Sequence, residues 1–333
     1  MSARSTLHTD RPLISMILLT YKQQRTVAAA LNSALLQTYS PLEIIVSDDA
    51  SPDDSFEIMR QLVSNYEGPH KIILNRNERN LGTGSNLTRA VKLSQGEILV
   101  LAAGDDISLP QRCERIVQGW KQHGCRPDLI ASSVIDLDEA GQTHDVIVPS
   151  DLGQYRTVAD WVADRPHVIG AGHAWTRRLF DHFGALPEGS VAEDLIMVFR
   201  AICEGGAISL DEPLVEYRRG GISARVRAMS AQEIIDRLQR SNRYTLSEMN
   251  TLKQDARKAN CLDIVSAWLD AEIAMAEFIR DVFAADSLVG KLSITLSAGD
   301  LRWSKRLRIL TYAACPWVLA PFFVIKRIFA SAG

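Results

Sequence analysis

Short apolar runs alternate with longer stretches of helical period over the first third of the chain. Leu13–Thr20, Leu42–Ser47, Lys71–Leu74 and Glu97–Ala102 read as strands, each brief, rich in branched residues and closed by polar or turn residues. Arg25–Gln37, Pro52–Tyr66 and Gly84–Ser94 read as the helices between them. Strands spaced by helices of this length predict an α/β fold with a parallel sheet, whose ligands sit at the carboxyl edge of the strands. Beyond Pro110 the pattern loosens. It predicts a helix over Gln111–His123, strands near Leu129–Leu137 and Val146–Pro149, a helix around Val158–Ala163 and β-like sequence around Gly170–Thr176. A helix over Val191–Glu204 and strands near Ala207–Leu210 and Leu214–Arg218 follow. From Ala231 to Val289 the period is helical, with Ala, Leu, Ile and Met on one side and charge on the other.

Two of the predicted strands run straight into paired acids. The strand through Ala103 ends at Asp105-Asp106, ahead of a helix opened by Ser108-Leu109-Pro110, and the strand through Ser47 ends at Asp48-Asp49. Adjacent carboxylates repel, so holding both ionised away from water calls for a cation, hydrogen-bond donors or solvent. Acids at a helix start also suit its dipole, and the first pair alone fits either role. Ser51-Pro52-Asp53-Asp54 reads as a helix start, which assigns Asp53 and Asp54 to capping and leaves Asp48 and Asp49 to face a ligand.

Composition bounds the rest. A chain of 333 residues, 46% apolar, is long enough for one large domain and an appendage. The net charge of -3 hides a split, because residues 301–333 hold six Lys and Arg and no acid. A basic end on an otherwise acidic chain argues against nucleic acid as a partner and for anionic lipid. Five cysteines, odd in number and without metal spacing, suit a reducing compartment. Met1–Pro12 is polar, and Leu13–Leu19 reads as a first strand because no small-residue cleavage site follows it. Ile309–Ile325 has Thr311 as its one clearly polar side chain, is broken by Pro316 and Pro321 and is flanked by basic residues, which predicts a monotopic membrane anchor. Packing of this segment as a C-terminal core helix is the other reading.

Six segments in order carry a family resemblance over about the first 225 positions. They are Leu13–Tyr21, Leu36-Gln37-Thr38-Tyr39, Glu43–Asp53 with its Val46-Ser47-Asp48-Asp49-Ala50-Ser51-Pro52-Asp53 core, Asn80–Asn86, Gly96-Glu97-Ile98-Leu99 and Val191-Ala192-Glu193-Asp194-Leu195. Together they resemble a family 2 glycosyltransferase of GT-A fold. The resemblance implies a mostly parallel central sheet flanked by helices, followed by a C-terminal helical region. It places a nucleotide-binding half at about 1–106 and an acceptor half at about 107–225, with a helical extension over 226–300 and the basic apolar tail over 301–333.

The resemblance also implies an inverting transfer of a sugar from a nucleotide diphosphate donor, expected to be UDP-linked, to a hydroxyl of a glycan or lipid-linked acceptor. It sets Thr20 and Tyr21 beside the base and ribose, with Asp48 or Asp49 accepting from one of their donors, and brings Asn80 and Gly82 near the diphosphate. The family's Asp-X-Asp metal motif aligns with Ala103-Gly104-Asp105-Asp106, so the first acid is missing, and Asp105 and Asp106 remain for Mg²⁺ or Mn²⁺. Asp194 matches the general base, with Glu193 leaning to a capping box from Ser190. In Tyr217-Arg218-Arg219-Gly220-Gly221-Ile222-Ser223 the family's late histidine is absent, so Arg218 or Arg219 is left to share the diphosphate charge. His173 falls where the family lines the acceptor pocket, although a lone histidine is more often structural. The implied enzyme is cytoplasmic and peripheral on the cytoplasmic face of a membrane, and a homo-oligomer is compatible with the sequence. The missing acid and histidine keep open a nucleotide-sugar-binding module with weak turnover. A nucleotidyltransferase fits less well, because Thr20–Arg25 lacks the glycines of its phosphate loop.

Overall fold

The computed structural model describes residues 11–138, 141–187, 193–218 and 230–319. The chain divides into two compact units, Met1–Gly221 with Lys258–Cys261, and Ile222–Arg257 with Leu262–Gly333.

The first unit is built on one sheet of nine strands. Four of them form its parallel half: β1 (Ile14–Thr20), β2 (Leu42–Asp48), β3 (Lys71–Arg76) and β4 (Ile98–Ala103). β1 lies at the centre, with β2 and β4 on either side in register Ile14↔Leu42 and Ile14↔Ile98. Alternation along β1 explains why the run is apolar throughout. Ile14, Met16 and Leu18 face one side and pack with α1 (Val27–Leu35) and the buried stripe of α4 (Arg112–Gln122), while α3 (Thr83–Leu93) covers the other side. The last helix of this half, α2 (Ser55–Ser64), buries Met59 in the same core.

The second half of the sheet is mixed rather than mostly parallel. β5 is only Ile107–Ser108, β6 is Leu129–Leu137, β7 is Thr143–Ile147, β8 is His173–Thr176 and β9 is Ala207–Arg218. β8 runs antiparallel to both β4 and β6, β5 antiparallel to β9 and β7 antiparallel to β6, whereas β9 runs parallel to β6. The reversal of β8 has a functional consequence. The pairing runs from Thr176 opposite Ile98 to Ala174 opposite Val100, so the turn that leads into β8 lies farther along β4, toward the end where the parallel strands stop. Among the described residues the unit also holds α5 (Val158–Ala163), capped by Thr157, α6 (Arg177–Phe183), capped by Thr176, and α7 (Glu193–Cys203).

Two local expectations are corrected. Ser51 does not cap α2; its hydroxyl accepts from Lys22 N at 3.0 Å, the N-cap position falls to Asp54, whose side chain makes no capping hydrogen bond, and Asp53, one residue earlier, accepts from Ser55 N at 3.2 Å. The two strands expected around Pro213 are one, β9, which continues through a register shift against Ser132–Val134.

The second unit contains α8 (Ala231–Lys258), α9 (Leu262–Ala284), α10 (Leu288–Ser297) and α11 (Trp303–Ala314). Asn242 of α8 donates to Ala276 O of α9 at 2.8 Å, satisfying a polar group within that packing. No helix among the described residues is long and apolar enough to cross a membrane. The segment expected to be an anchor begins inside α11, where Ile309 is 3% exposed and packs with Phe278 and Val282. The helix stops at Cys315, and Pro316–Leu319 is a 3-10 turn. Residues 320–325 of the expected anchor lie outside the described residues.

Candidate functional site

The carboxyl ends of β1 and β2 put Thr20 and Asp48 side by side in register. Both are buried, and Thr20 Oγ1 and Asp48 Oδ1 have no hydrogen-bond partner among the described residues. The other oxygen of Asp48 accepts from Ser51 N at 2.9 Å and lies 3.5 Å from Arg76 Nε. Buried polar atoms are normally paired, so two orphans at one strand edge mark a place for a polar ligand. Tyr21, next to them, is 40% exposed and has Lys22 Nζ 5.0 Å from its ring centroid.

Asp49 has a different position from its neighbour. One of its oxygens accepts from Leu81 N at 2.8 Å and Asn77 Nδ2 at 2.9 Å, and the other accepts from Gly82 N at 2.8 Å. Asn80 Nδ2 adds a 3.4 Å contact to Asp49 O. Asp49 therefore fixes the 80–82 turn, and its carboxylate is occupied by the chain's own donors. Gly82 in that turn has φ 82° and ψ 163°, a region open essentially to glycine alone, and nothing lies within 4 Å of where a Cβ would be. Its backbone is accordingly exposed to an approaching ligand. Asp49→Ala is expected to strand two backbone N–H groups and destabilise the domain by about 3 kcal/mol, read in denaturant unfolding; an unchanged midpoint would remove this bracing role.

β4 delivers the second acid pair to the same edge. Gly104 sits where a Cβ would come within 2.4 Å of Gln23 Oε1 and 3.0 Å of Thr20 Oγ1, so its lack of a side chain lets the ends of β1 and β4 close together. Burial raises the Asp105 pKa, opposed by a hydrogen bond from Gln23 and the charge of Arg218. Asp106 is pushed up to about 8 by burial and then by the charge of Asp105, while its Oδ1 accepts from Arg218 N at 2.8 Å. The Arg218 guanidinium itself points at carbonyls, Asp105 O at 3.4 Å and Asp138 O at 3.2 Å. Arg219 lies outside the described residues.

Arg112, which no sequence motif singles out, lies between this pair and the turn before β8. Arg112, in the first turn of α4, is fully buried, and its guanidinium donates to Ser108 Oγ at 2.9 Å and Ala171 O at 2.6 Å. Ala171 belongs to the Gly170–Gly172 turn that precedes β8, and a Cβ on Gly170 would stand 3.3 Å from Asp194 Cβ. The turn that Arg112 holds thus lies against Asp194, and the same guanidinium acts electrostatically on Asp106. Burial raises the Asp194 pKa, and its Oδ1 accepts from Leu195 N at 2.9 Å at the start of α7. An arginine on the apolar stripe of a helix, between Pro110 and Cys113, is the signal that marked Arg112 in the sequence.

His173 takes a core position. Its ring has no exposed surface, burial and Arg112 lower its pKa to about 3, and neither ring nitrogen has a hydrogen-bond partner among the described residues. The expected lining of an acceptor pocket by His173 meets an imidazole that is neutral and enclosed. Glu193 opens α7, and its proposed capping partner Ser190 lies outside the described residues.

Residues 15–176 match the model of the family described as Glycosyl transferase family 2. Among curated proteins, the chain is 30% identical over 139 residues to EpsE of Bacillus subtilis (strain 168), covering 42% of this chain and 49% of that protein. It is 32% identical over 94 residues to WfaP of Escherichia coli, a UDP-Glc:alpha-D-GlcNAc-diphosphoundecaprenol beta-1,3-glucosyltransferase, covering 28% of this chain and 36% of WfaP. The chain therefore spans about half the length or less of these relatives. Among solved structures, Staphylococcus aureus TarS 1–349 superposes with TM-score 0.54 at 16% identity, covering 91% of this chain and 87% of TarS 1–349. The same protein in complex with UDP-GlcNAc gives 0.52 at 15% identity, over 90% of each chain. With a GT-A-like sheet, the acid-tipped strands and this match, the N-terminal domain of the chain belongs to glycosyl transferase family 2.

Proposed function

We infer that the chain transfers a sugar from a UDP-linked donor to a hydroxyl of a glycan or lipid-linked acceptor, with inversion at the anomeric carbon. The observation that supports this reading is two orphaned polar atoms, Thr20 Oγ1 and Asp48 Oδ1, at one sheet edge, with the raised-pKa carboxyl of Asp105 after the neighbouring strand and that of Asp194 beside the Gly170 turn. UDP-GlcNAc in a TarS complex and the diphosphoundecaprenol-linked substrate of WfaP support the donor and acceptor classes.

In this reading Asp48 Oδ1 accepts from a base N–H or ribose hydroxyl, Thr20 contacts the same moiety, and Tyr21 covers it. Gly82 and Asn80 bring the 80–82 turn against the diphosphate, with Asp49 holding that turn in place. Two neighbouring carboxyls form an all-oxygen donor set suited to a hard cation, and no group of three or more His, Cys, Asp and Glu side chains adds to them among the described residues. Asp105, with Asp106 behind it, would hold Mg²⁺ or Mn²⁺ together with diphosphate oxygens and water. The ion's chemistry there is neutralisation of charge growing on the departing nucleotide diphosphate. Asp194 takes the proton of the acceptor hydroxyl, a task helped by an environment that strengthens its hold on a proton. Attack from the Asp194 side, opposite the diphosphate, inverts the anomeric centre. A lipid-linked acceptor places the enzyme at the cytoplasmic face of a membrane.

Nucleotide release from UDP-, GDP- and dTDP-sugars tests the reading, with Mn²⁺ present or chelated. Acceptor-stimulated release from a UDP-sugar that EDTA abolishes is the expected result. Tight UDP binding with no release from any donor would favour a binding module without turnover.

A further inference from the structure

The helical unit turns an apolar face to solvent. Leu288, Leu292 and Leu296 of α10 recur every four residues and so form one stripe, which Val289 widens. They are 59%, 42%, 66% and 78% exposed in the order Leu288, Leu292, Leu296, Val289. α10 does not depend on this stripe for packing, since Ile294 on its other side joins Phe278, Val282 and Ile309 in a separate core. α11 extends the face with Trp303 and Leu307, 57% and 62% exposed. Arg306 connects the two helices. Its Nη1 donates to Thr295 O at 3.0 Å and Leu296 O at 3.3 Å, and its guanidinium carbon stands 4.2 Å from the Trp303 ring centroid. Trp303 therefore lies near the C-terminal end of the leucine stripe, with the Arg306 guanidinium between them. Scattered exposed leucines need no explanation, but a stripe of them along one helix, with an exposed indole and leucine on the helix bonded to its end, marks a contact surface.

Charge selects the occupant. Between residues 287 and 319 there are five basic side chains and one acid, Asp300. Lys291 and Arg306 are bound to backbone carbonyls, and Arg302, Lys305 and Arg308 remain exposed around Trp303 and Leu307. A second copy of this face would bring the same cations against each other, at a repulsive cost. An anionic bilayer meets both features, with acyl chains receiving the leucines, the indole lying at the interface and phosphates pairing with Arg and Lys.

We propose that the α10–α11 face is the docking surface for an anionic lipid bilayer, lying in the interface plane without crossing it. Ile309, the first residue of the 309–325 anchor expected from the sequence, is committed to the core of the unit, and the proposed surface lies on the residues before and around it. The proposal rests on the preceding reading only for why a membrane matters, since lipid binding is measured without donor or acceptor.

The test is co-sedimentation of the full chain with phosphatidylcholine vesicles, with and without phosphatidylglycerol, for the wild type and two triple variants. Leu288→Ser/Leu292→Ser/Leu296→Ser is expected to lower partition onto phosphatidylglycerol vesicles at least about tenfold. Arg302→Gln/Lys305→Gln/Arg308→Gln is expected to remove the preference for phosphatidylglycerol and the sensitivity of binding to salt. Both variants should bind UDP as the wild type does, which separates this surface from the donor site and shows that the chain is folded. Wild-type pelleting by the leucine variant would overturn the proposal. So would a lipid-free dimer that this variant splits into monomers without changing vesicle binding, because the face would then join two copies of the chain.

Discussion

Asp194→Asn is expected to lower kcat by about 10²–10⁴-fold while leaving donor affinity nearly unchanged. The amide keeps the shape of the side chain and its contacts beside Gly170, but it has no basic oxygen to accept the proton of the acceptor hydroxyl. Stability separates this loss from unfolding. Burial raises the Asp194 pKa in the folded chain, so the group favours folding while protonated at low pH, and that contribution is lost as pH rises through the folded pKa. At neutral pH a neutral amide removes this cost, and the variant should melt no lower than the wild type. The same shift sets a pH signature. kcat/KM should fall on the acid side at a pH above the ordinary carboxylate value of about 3.9, and that limb should vanish from the residual activity of the variant. A variant with full turnover would remove Asp194 as the base.

Asp105→Asn should differ in kind. It weakens the carboxylate set that would hold the cation on the diphosphate, so donor KM rises and kcat falls, together by about 10²–10³-fold in kcat/KM. The response to Mn²⁺ should shift to higher concentration, because a neutral oxygen binds a hard cation less well. Steady-state kinetics at several Mn²⁺ concentrations distinguish this pattern from that of Asp194→Asn. Unchanged Mn²⁺ dependence would move the cation site away from β4.

The parallel half of the sheet was legible because its strands are apolar on both faces and its helices carry a regular stripe. The first four strands and the helices between them lie where periodicity puts them, apart from a few residues at their ends. Elements set by tertiary pairing were not legible. β5 has two residues and exists because Ile107 and Ser108 pair with Glu216 and Val215 of β9. α6 is a short helix whose start depends on the Thr176 hydroxyl accepting from Leu179 N at 3.4 Å. Sequence also gave no means of choosing between Asp48 and Asp49. The difference arises only when the 80–82 turn returns to this edge and its N–H groups engage Asp49, leaving one oxygen of Asp48 open. Arg112 was obscured for a similar reason, since its partners Ser108 and Ala171 lie on segments 63 residues apart that only the reversed direction of β8 brings together.

A crystal structure with UDP and Mn²⁺ tests the convergence of these segments most directly. The account predicts uracil or ribose within hydrogen-bond reach of Thr20 and Asp48, the diphosphate between the 80–82 turn and a cation on Asp105, and Asp194 across the pocket from the β-phosphate. Nucleotide bound away from Asp105, or Asp194 facing no cavity beside the β-phosphate, would contradict it.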